Sequence, residues 1–229
     1  MITLYSGTPG SGKSLHLASK LYHWIQDNCP VICINFEVNL DNIKGAARNK
    51  HVYFMDGETT SPDDLIRLGQ AYSQERGRVK EDSFLEVWDE AQRQFNTRDW
   101  GQKNRLDWLK FFTLHRHWGF QIIMVAQFDR MLDRQIRALF EYEYIHRKMS
   151  NFGAQGKIIA LLCGGELFVA VKRWYPLKER LGAEYFRKSK KYLRIYDTFA
   201  LLDVRAASAG EDGEKGDPAD LTEDARPTG

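Results

Sequence analysis

The clearest chemical signal in the chain is a glycine-rich stretch of eight residues near its start, GTPGSGKS at positions 7–14. It matches the P-loop pattern G-x-x-x-x-G-K-[ST] at every fixed position, between a β-rich segment (1–6) and a segment of helical periodicity. Glycines allow the backbone to curl so that its N–H groups point at phosphate oxygens, and the following helix adds its positive amino end.

We therefore predict a nucleotide phosphate site. Lys13 would reach the β- and γ-phosphates of ATP, and the Ser14 hydroxyl would bind Mg²⁺. The alternative, a glycine-rich turn with a chance lysine, is disfavoured by the strand, loop and helix in this order. The expected nucleotide contacts are Gly7, Pro9, Gly10, Ser11, Gly12, Lys13, Ser14 and Leu15.

A second signal is a predicted strand that ends in two acids, FLEVWDEAQ at 84–92. Downstream of a P-loop, Asp89 would complete the Mg²⁺ shell and Glu90 would polarise the water that attacks the γ-phosphate. The alternative is an acidic cluster at a helix amino end. Glu86 lies inside the strand, on the same face as Trp88, and we expect it at a partly hydrated or ion-paired position.

A third stretch, TLHRHWGFQIIMVAQ at 113–127, contains two histidines and ends in a glutamine. On a helix His115 and His117 point to nearly opposite sides, so they do not chelate one metal, and we expect His115 to be packed beside Trp108 and Phe112. Gln127 ends a predicted strand, where ligands of open α/β sheets gather, and it could sense the γ-phosphate. It could equally be an ordinary polar residue at a strand exit.

The composition is that of a folded globular protein, with 43% hydrophobic and 13% aromatic residues. The net charge of +2 conceals an asymmetry: residues 205–229 hold seven acids and three bases, a net of −4, which leaves +6 on residues 1–204. Cys29, Cys33 and Cys163 have no zinc spacing, and we expect Cys29 and Cys33 to be buried thiols in a reducing cytosol. No signal peptide or transmembrane helix is predicted.

Strands alternate with helices, which predicts an α/β fold with a mainly parallel sheet flanked by helices. A helix is predicted from Ser61, another over 99–118 up to Gly119, and helical structure over 130–141. Three late strands (142–149, 156–162 and 165–174) would form an antiparallel β extension, the last two paired through Cys163–Gly165, before a basic helix over 177–196. We expect one domain over 1–203 and a disordered acidic tail over 204–229.

Taken in order, the motifs resemble those of the zonula occludens toxin (Zot) family, which includes filamentous-phage assembly ATPases within the FtsK/HerA-like branch of P-loop motors. The resemblance covers about residues 1–175. Its motifs are the P-loop, WDEAQRQF (88–95), LHRHWGFQIIMVAQ (114–127), LDRQIR (132–137) and YIHRK (144–148).

The resemblance implies an additional-strand P-loop ATPase that binds ATP and Mg²⁺ and powers extrusion or assembly of phage or mobile-element DNA as a homo-oligomeric ring. Lys13, Ser14, Asp89, Glu90 and Gln127 carry over as its site residues. It also implies partners among membrane-embedded assembly proteins, and a cytoplasmic place at the inner face of the host membrane. Candidates for an arginine finger are Arg98, Arg116, Arg134 and Arg137.

Family members usually continue into a transmembrane helix and an extracytoplasmic part. This chain continues into the acidic stretch instead, so we expect either a short, soluble variant or a fragment cut before the membrane span. The sequence supports neither membrane insertion nor toxin activity.

Two other classes of function remain open. A P-loop kinase would use the arginines around 130–137 as a lid, although an Asp-Glu pair that activates water fits hydrolysis better. A non-hydrolysing scaffold could hold DNA through the basic stretch 187–194, whose Tyr192 and Leu193 also suit a helix face packed on the protein. A GTPase is disfavoured because no N-K-x-D motif is present.

Overall fold

The computed structural model describes residues 1–96 and 105–196, and in this part of the chain an eight-stranded sheet forms the centre. The strands are β1 (Ile2–Ser6), β2 (Val31–Ile34), β3 (Val52–Met55), β4 (Phe84–Trp88), β5 (Phe120–Ala126), β6 (Tyr142–Lys148), β7 (Leu167–Trp174) and β8 (Glu179–Arg187). The helices are α1 (Lys13–Gln26), α2 (Pro62–Arg76), α3 (Arg105–Leu114), α4 (Arg134–Arg137), α5 (Gly153–Leu162) and α6 (Lys190–Leu193).

The strand order is β3-β2-β4-β5-β1-β6-β7-β8, with β1 to β6 parallel and the β6–β7 and β7–β8 pairs antiparallel. β5 lies between β1 and β4, so the strand before the P-loop and the strand before the acids are separated by one additional strand. Their carboxyl ends lie at the same edge of the sheet, two residues apart in register, since Ser6 pairs with Ala126 and Trp88 with Met124. The predicted parallel sheet with an antiparallel extension is confirmed.

Alternation along the strands divides the core between the two faces of the sheet. Ile122 and Met124 of β5 pack on one face with aromatic residues of β4 and α3. Ile123 and Val125 pack on the other face with Leu17 and other apolar residues of α1. Because helices cover both faces, β5 is buried along its full length and apolar at every position except Gln121.

The helix from Ser61 is confirmed as α2 and starts with a capping box. The Ser61 hydroxyl accepts from the Asp64 amide at 3.3 Å, and the Asp64 carboxylate accepts from the Ser61 amide at 3.0 Å. The helix predicted over 99–118 is confirmed from Arg105 onward: α3 ends at Leu114, and a 3₁₀ helix continues to Trp118. Residues 97–104 lie outside the described part. Only Arg134–Arg137 of the predicted 130–141 segment is α-helical.

Two predicted elements are wrong. Residues 156–162 belong to α5 rather than to a strand: Gly156 and Ala160, one turn apart, form a buried small-residue face, and a Cβ on Gly156 would lie 2.1 Å from the Met149 carbonyl oxygen. β7 pairs instead with residues 179–187, which were predicted as helix. The two strands join through a turn at Lys178, whose φ is 57°.

α5 exposes most of its apolar side chains. Leu161 and Leu162 are 77% and 81% exposed, and Ile158 is 58% exposed. Its ten residues are too short to cross a bilayer, and no helix in the described ranges combines the length and apolar character of a membrane span.

His115 is packed as expected: it is buried, and its Nδ1 lies 2.6 Å from the Phe112 carbonyl oxygen, while His117 is exposed. Cys33 is buried, but Cys29 is only partly buried, contrary to the expectation. The predicted tail over 204–229 lies outside the described residues and stays a prediction.

Candidate active site

The P-loop connects β1 to α1 with three left-handed glycines: φ is 146° at Gly7, 73° at Gly10 and 97° at Gly12. A Cβ on Gly12 would lie 2.7 Å from a ring carbon of Phe168 in β7. A Cβ on Gly7 would lie 2.6 Å from the His146 carbonyl oxygen. The loop therefore needs glycine at these two positions for both its backbone angles and its close packing.

Two polar side chains of the P-loop, Ser11 and Lys13, are buried and are of types that bind phosphate. The Lys13 ammonium donates to the carbonyl oxygens of Gly7 at 2.6 Å and Thr8 at 3.3 Å. Burial lowers the pKa of Lys13, while the charges of Glu90 and Asp89 oppose that shift, which places the lysine within electrostatic reach of both acids. The buried Ser11 hydroxyl has no hydrogen-bond partner among the described residues, as fits a group that would donate to a phosphate oxygen.

Asp89 and Glu90 follow β4 at the carboxyl edge of the sheet, as predicted. Asp89 is 9% exposed, and its Oδ1 accepts from the Glu90 amide at 3.0 Å. Glu90 has a φ of 48°, which is rare for a residue with a side chain, and the Gln92 amide donates to its Oε2. The chain therefore turns sharply at Glu90, and the carboxylates of Asp89 and Glu90 have different hydrogen-bond partners.

Asn35 supports this turn and was not predicted. It follows β2 with a φ of 69°, its Nδ2 donates to the Asp89 carbonyl oxygen at 3.2 Å, and its Oδ1 accepts from the Gly57 amide at 2.9 Å. A polar residue directly after a buried strand was the available signal for this residue.

Tyr196 is a second unpredicted residue in the site. Its hydroxyl donates to Asp89 Oδ2 and lies close to the Ser14 side chain. Burial and the neighbouring Asp89 raise the pKa of Tyr196, so the hydroxyl keeps its proton. Burial also raises the pKa of Asp89, while the Tyr196 hydrogen bond acts in the opposite direction. No local motif marks Tyr196, because it lies 107 residues beyond Asp89 in the chain.

Gln127 directly follows β5, and its carbonyl oxygen accepts from the Gly7 amide at 3.1 Å. The bond extends the β1–β5 pairing by one step and brings the backbone of Gln127 to the base of the P-loop. Gln127, whose side chain is half-buried, thus follows β5, which lies between the strand before the P-loop (β1) and the strand before the acids (β4). Its role as a sensor stays a prediction.

A buried histidine pair lies against the P-loop. His146 Nδ1 is 3.1 Å from the Ser6 carbonyl oxygen, and its Nε2 is 2.9 Å from His16 Nδ1. Burial, reinforced by His16, lowers the pKa of His146 to about 3. A neutral His146 that donates to Ser6 must accept from His16, which fixes the tautomers and joins β6 to α1 beside the loop.

The candidate arginines differ in their surroundings. Arg98 lies outside the described residues. Arg116 pairs with Glu141 near the amino ends of the strands, where Glu141 donates its amide to Ile2. Arg134 is exposed and Arg137 half-buried, and both line a surface pocket of about 480 Å³. Other residues lining that pocket are Asp129, Phe140, Tyr175 and Lys178.

The site has donors that suit a magnesium ion. Asp89 accepts from the Tyr196 hydroxyl and Ser14 lies close to that hydroxyl, so both side chains are on the same side of the P-loop. A hydroxyl and a carboxylate at the edge of a phosphate loop form the partial oxygen set that Mg²⁺ takes, with phosphate and water oxygens completing it.

The sheet order, with β5 between β1 and β4, and the glycine-rich loop define a P-loop NTPase. A KaiC-like protein from Pyrococcus horikoshii has a similar fold, with a TM-score of 0.50 at 11% identity, covering 86% of this chain and 89% of that one. The N-terminal domain of zonular occludens toxin from Neisseria meningitidis gives a TM-score of 0.51 at 18% identity, covering 86% of this chain and 98% of that one.

The chain belongs to the Zonular occludens toxin (Zot) family, whose model matches residues 1–180. The resemblance carried by the ordered motifs is thereby confirmed. The Gene 1 protein of Enterobacteria phage M13 is 27% identical over an alignment of 170 residues, which covers 71% of this chain and 47% of the phage protein. The chain thus spans about half the length of the curated relatives it matches.

Proposed function

We propose that this protein is an ATPase motor of the filamentous-phage assembly type, which couples Mg-ATP hydrolysis to assembly, extrusion or transfer of phage or mobile-element DNA. The observation that carries the proposal is the convergence of Lys13, Ser14, Asp89 and Glu90 at one edge of the sheet in a Zot-family chain. Hydrolysis is favoured over kinase chemistry because Glu90 is available to polarise water.

Each side chain would act on a different part of the reaction. The P-loop amides and the Lys13 ammonium would bind and orient the β- and γ-phosphates. Glu90 would take a proton from the attacking water, with Gln92 holding its carboxylate. Gln127 would hydrogen-bond the γ-phosphate or that water. Ser14 and Asp89 would hold Mg²⁺, which supplies charge neutralisation at the phosphates when it is bound.

Work on DNA would require subunits to act together, and the proposal includes a homo-oligomeric ring in which an arginine reaches the neighbour's nucleotide. Arg134 is the first choice, because it is exposed and lies with Arg137 and Lys178 at a surface pocket. Arg116 is already paired with Glu141. Membrane-embedded assembly proteins, at the inner face of the host membrane, are the proposed recruiting partners.

The test is steady-state phosphate release from Mg-ATP, with and without single-stranded DNA, over a range of protein concentrations. We expect specific activity to rise with protein concentration and on adding DNA. ATP binding without phosphate release under any of these conditions would contradict a hydrolytic motor and favour a kinase or scaffold.

The shared site can be tested by mixing two inactive variants, Glu90→Gln and Arg134→Ala. In a mixed ring, the Arg134→Ala subunit keeps its own Glu90 and receives an intact arginine from its Glu90→Gln neighbour. Partial recovery of phosphate release on mixing is the expected result, with Arg116→Ala as the matched arginine variant that stays active alone. No recovery, with both variants still associating, would exclude Arg134 as a residue supplied in trans.

A further inference from the structure

The residues after β8 pack against α1 and against the segment that follows β2. Lys191 lies over the Tyr22 ring of α1, with its ammonium 3.6 Å from the ring centre, and Tyr192 hydrogen-bonds His23 at 3.1 Å. Further along, the Ile195 carbonyl accepts from the Asn39 amide at 2.9 Å, and Ile195 is fully buried. We call residues 189–196 the docking segment.

Tyr196 is the last described residue of the docking segment, and it enters the site itself. Its backbone bridges to Val38, and its ring packs against Phe36 at a centroid distance of 5.0 Å. The hydroxyl then donates to Asp89 Oδ2, close to the Ser14 side chain. Since Asp89 Oδ1 accepts from Glu90, both carboxylate oxygens of Asp89 are engaged within the chain.

We propose that the Tyr196 hydroxyl and Mg²⁺ compete for the oxygens of Ser14 and Asp89, so that docking of residues 189–196 closes the metal site and its release opens it. This inference rests on the proposed function, because it assigns a regulator to the same Mg-ATP site. Tyr196 is a gate and not a metal ligand.

The geometry accounts for the competition. A magnesium ion bound to Ser14 needs the neighbouring Asp89 oxygen or a water held by it, and the phenolic hydroxyl already occupies Asp89 Oδ2. The phenol also donates to a carboxylate, one of the stronger hydrogen bonds in proteins. Metal binding therefore has to displace this hydroxyl, and the hydrogen bonds of Tyr192 and Ile195 oppose its departure.

The decisive experiment measures the magnesium concentration that half-saturates binding of a fluorescent ATP analogue, in wild type and in Tyr196→Phe. Phenylalanine keeps the ring contact with Phe36 and removes only the hydroxyl. Loss of a hydrogen bond to a charged group should lower the half-saturating magnesium concentration by about tenfold. Tyr185→Phe, the same chemical change at an exposed residue of β8 outside the docking segment, should leave it within about twofold of wild type.

A second measurement uses the wild-type protein. Hydrogen exchange of the backbone amides of residues 189–196 should speed up when Mg-ATP is added, and not when ATP is added with EDTA. An unchanged or higher magnesium requirement in Tyr196→Phe, or slower exchange of the docking segment with Mg-ATP, would overturn the competition. If neither protein binds ATP with or without magnesium, the proposed function fails together with this inference.

Discussion

Two neighbouring acids, Glu86 within β4 and Asp89 directly after it, have different surroundings. Glu86 lies in the middle of β4, is fully buried, and accepts from Trp88 Nε1 at 2.5 Å. Its Oε2 has no partner among the described residues. Asp89 lies at the end of the strand, where an amide, a phenol and the Lys13 ammonium surround it.

The expectation of a partly hydrated or ion-paired Glu86 is wrong, because its side chain is 0% exposed and has no ion pair within residues 1–96 and 105–196. Burial raises the pKa of Glu86 to about 8, with the Trp88 hydrogen bond opposing it, so at neutral pH this side chain is mostly a neutral carboxylic acid. Position along the strand thus decides what a carboxylate can do. In the middle it is a core residue, and at the carboxyl edge it meets the loops that bind ligands.

The largest effect that would sharpen this comparison is expected for Glu90→Gln. The amide keeps the size of the side chain but cannot accept a proton from water, so phosphate release should fall by about 10²- to 10⁴-fold. ATP binding and thermal unfolding should stay close to those of wild type. Wild-type turnover in this variant would remove Glu90 from the mechanism.

Lys13→Ala should have the next largest effect. The substitution removes the buried ammonium of the P-loop, and ATP affinity should fall by about tenfold or more, as measured by isothermal titration calorimetry. Lys20→Ala, on the same helix but outside the loop, is the matched control and should bind ATP like wild type. Equal loss of affinity in both variants would contradict the assignment of Lys13.

Glu86→Gln should alter stability and leave turnover unchanged. A carboxyl group with a raised pKa favours the folded state only while it is protonated, so wild-type stability falls as pH rises from about 4.5, the unfolded pKa, to about 8. The amide that replaces the carboxyl group does not titrate. The free energy of unfolding of Glu86→Gln, measured by urea denaturation, should therefore rise relative to that of wild type by up to about 1.4 kcal/mol per pH unit between about pH 4.5 and about pH 8.

Exposed Glu37 provides the control for the pH experiment, because Glu37→Gln should leave the pH profile of stability unchanged. A Glu86→Gln difference that is constant from pH 5 to pH 8 would show that Glu86 is charged in the folded protein.

The smallest effect is expected for the packing of the P-loop against β7. Gly12→Ala and Gly10→Ala both add a Cβ at a left-handed backbone position, but only the Cβ at 12 meets Phe168. Gly12→Ala should therefore be less stable than Gly10→Ala by about 1 kcal/mol in thermal unfolding. Adding Phe168→Ala should reduce that difference, and equal stability of the two single variants would contradict the close contact.

Local signals in the sequence were enough to predict the P-loop, the strand before Asp89 and the position of Gln127. Each is encoded within about ten residues: a loop pattern, an apolar run and the polar residue that ends it. Because the carboxyl ends of parallel strands meet at one edge, these local predictions combined into a site without further information.

α5, β8 and the position of Tyr196 could not be predicted in this way. An apolar run such as that of α5 fits a strand or a helix, and the close contact of Gly156 with Met149 is visible only in three dimensions. β8 is a strand because β7 offers it an antiparallel partner, which outweighs the helix-forming residues in this stretch. The contact of Tyr196 with Asp89 joins residues 107 positions apart, so it depends on the tertiary fold and not on a local pattern.

The exposed apolar surface of α5 has a practical consequence for biochemical work. With Ile158, Leu161 and Leu162 open to water, the protein should self-associate in sulfate- or phosphate-rich buffers without nucleotide. Light scattering would then rise with concentration for a reason unrelated to ring formation. Replacing Leu161 and Leu162 with glutamine should abolish this background, so that any association still triggered by ATP reports the working assembly.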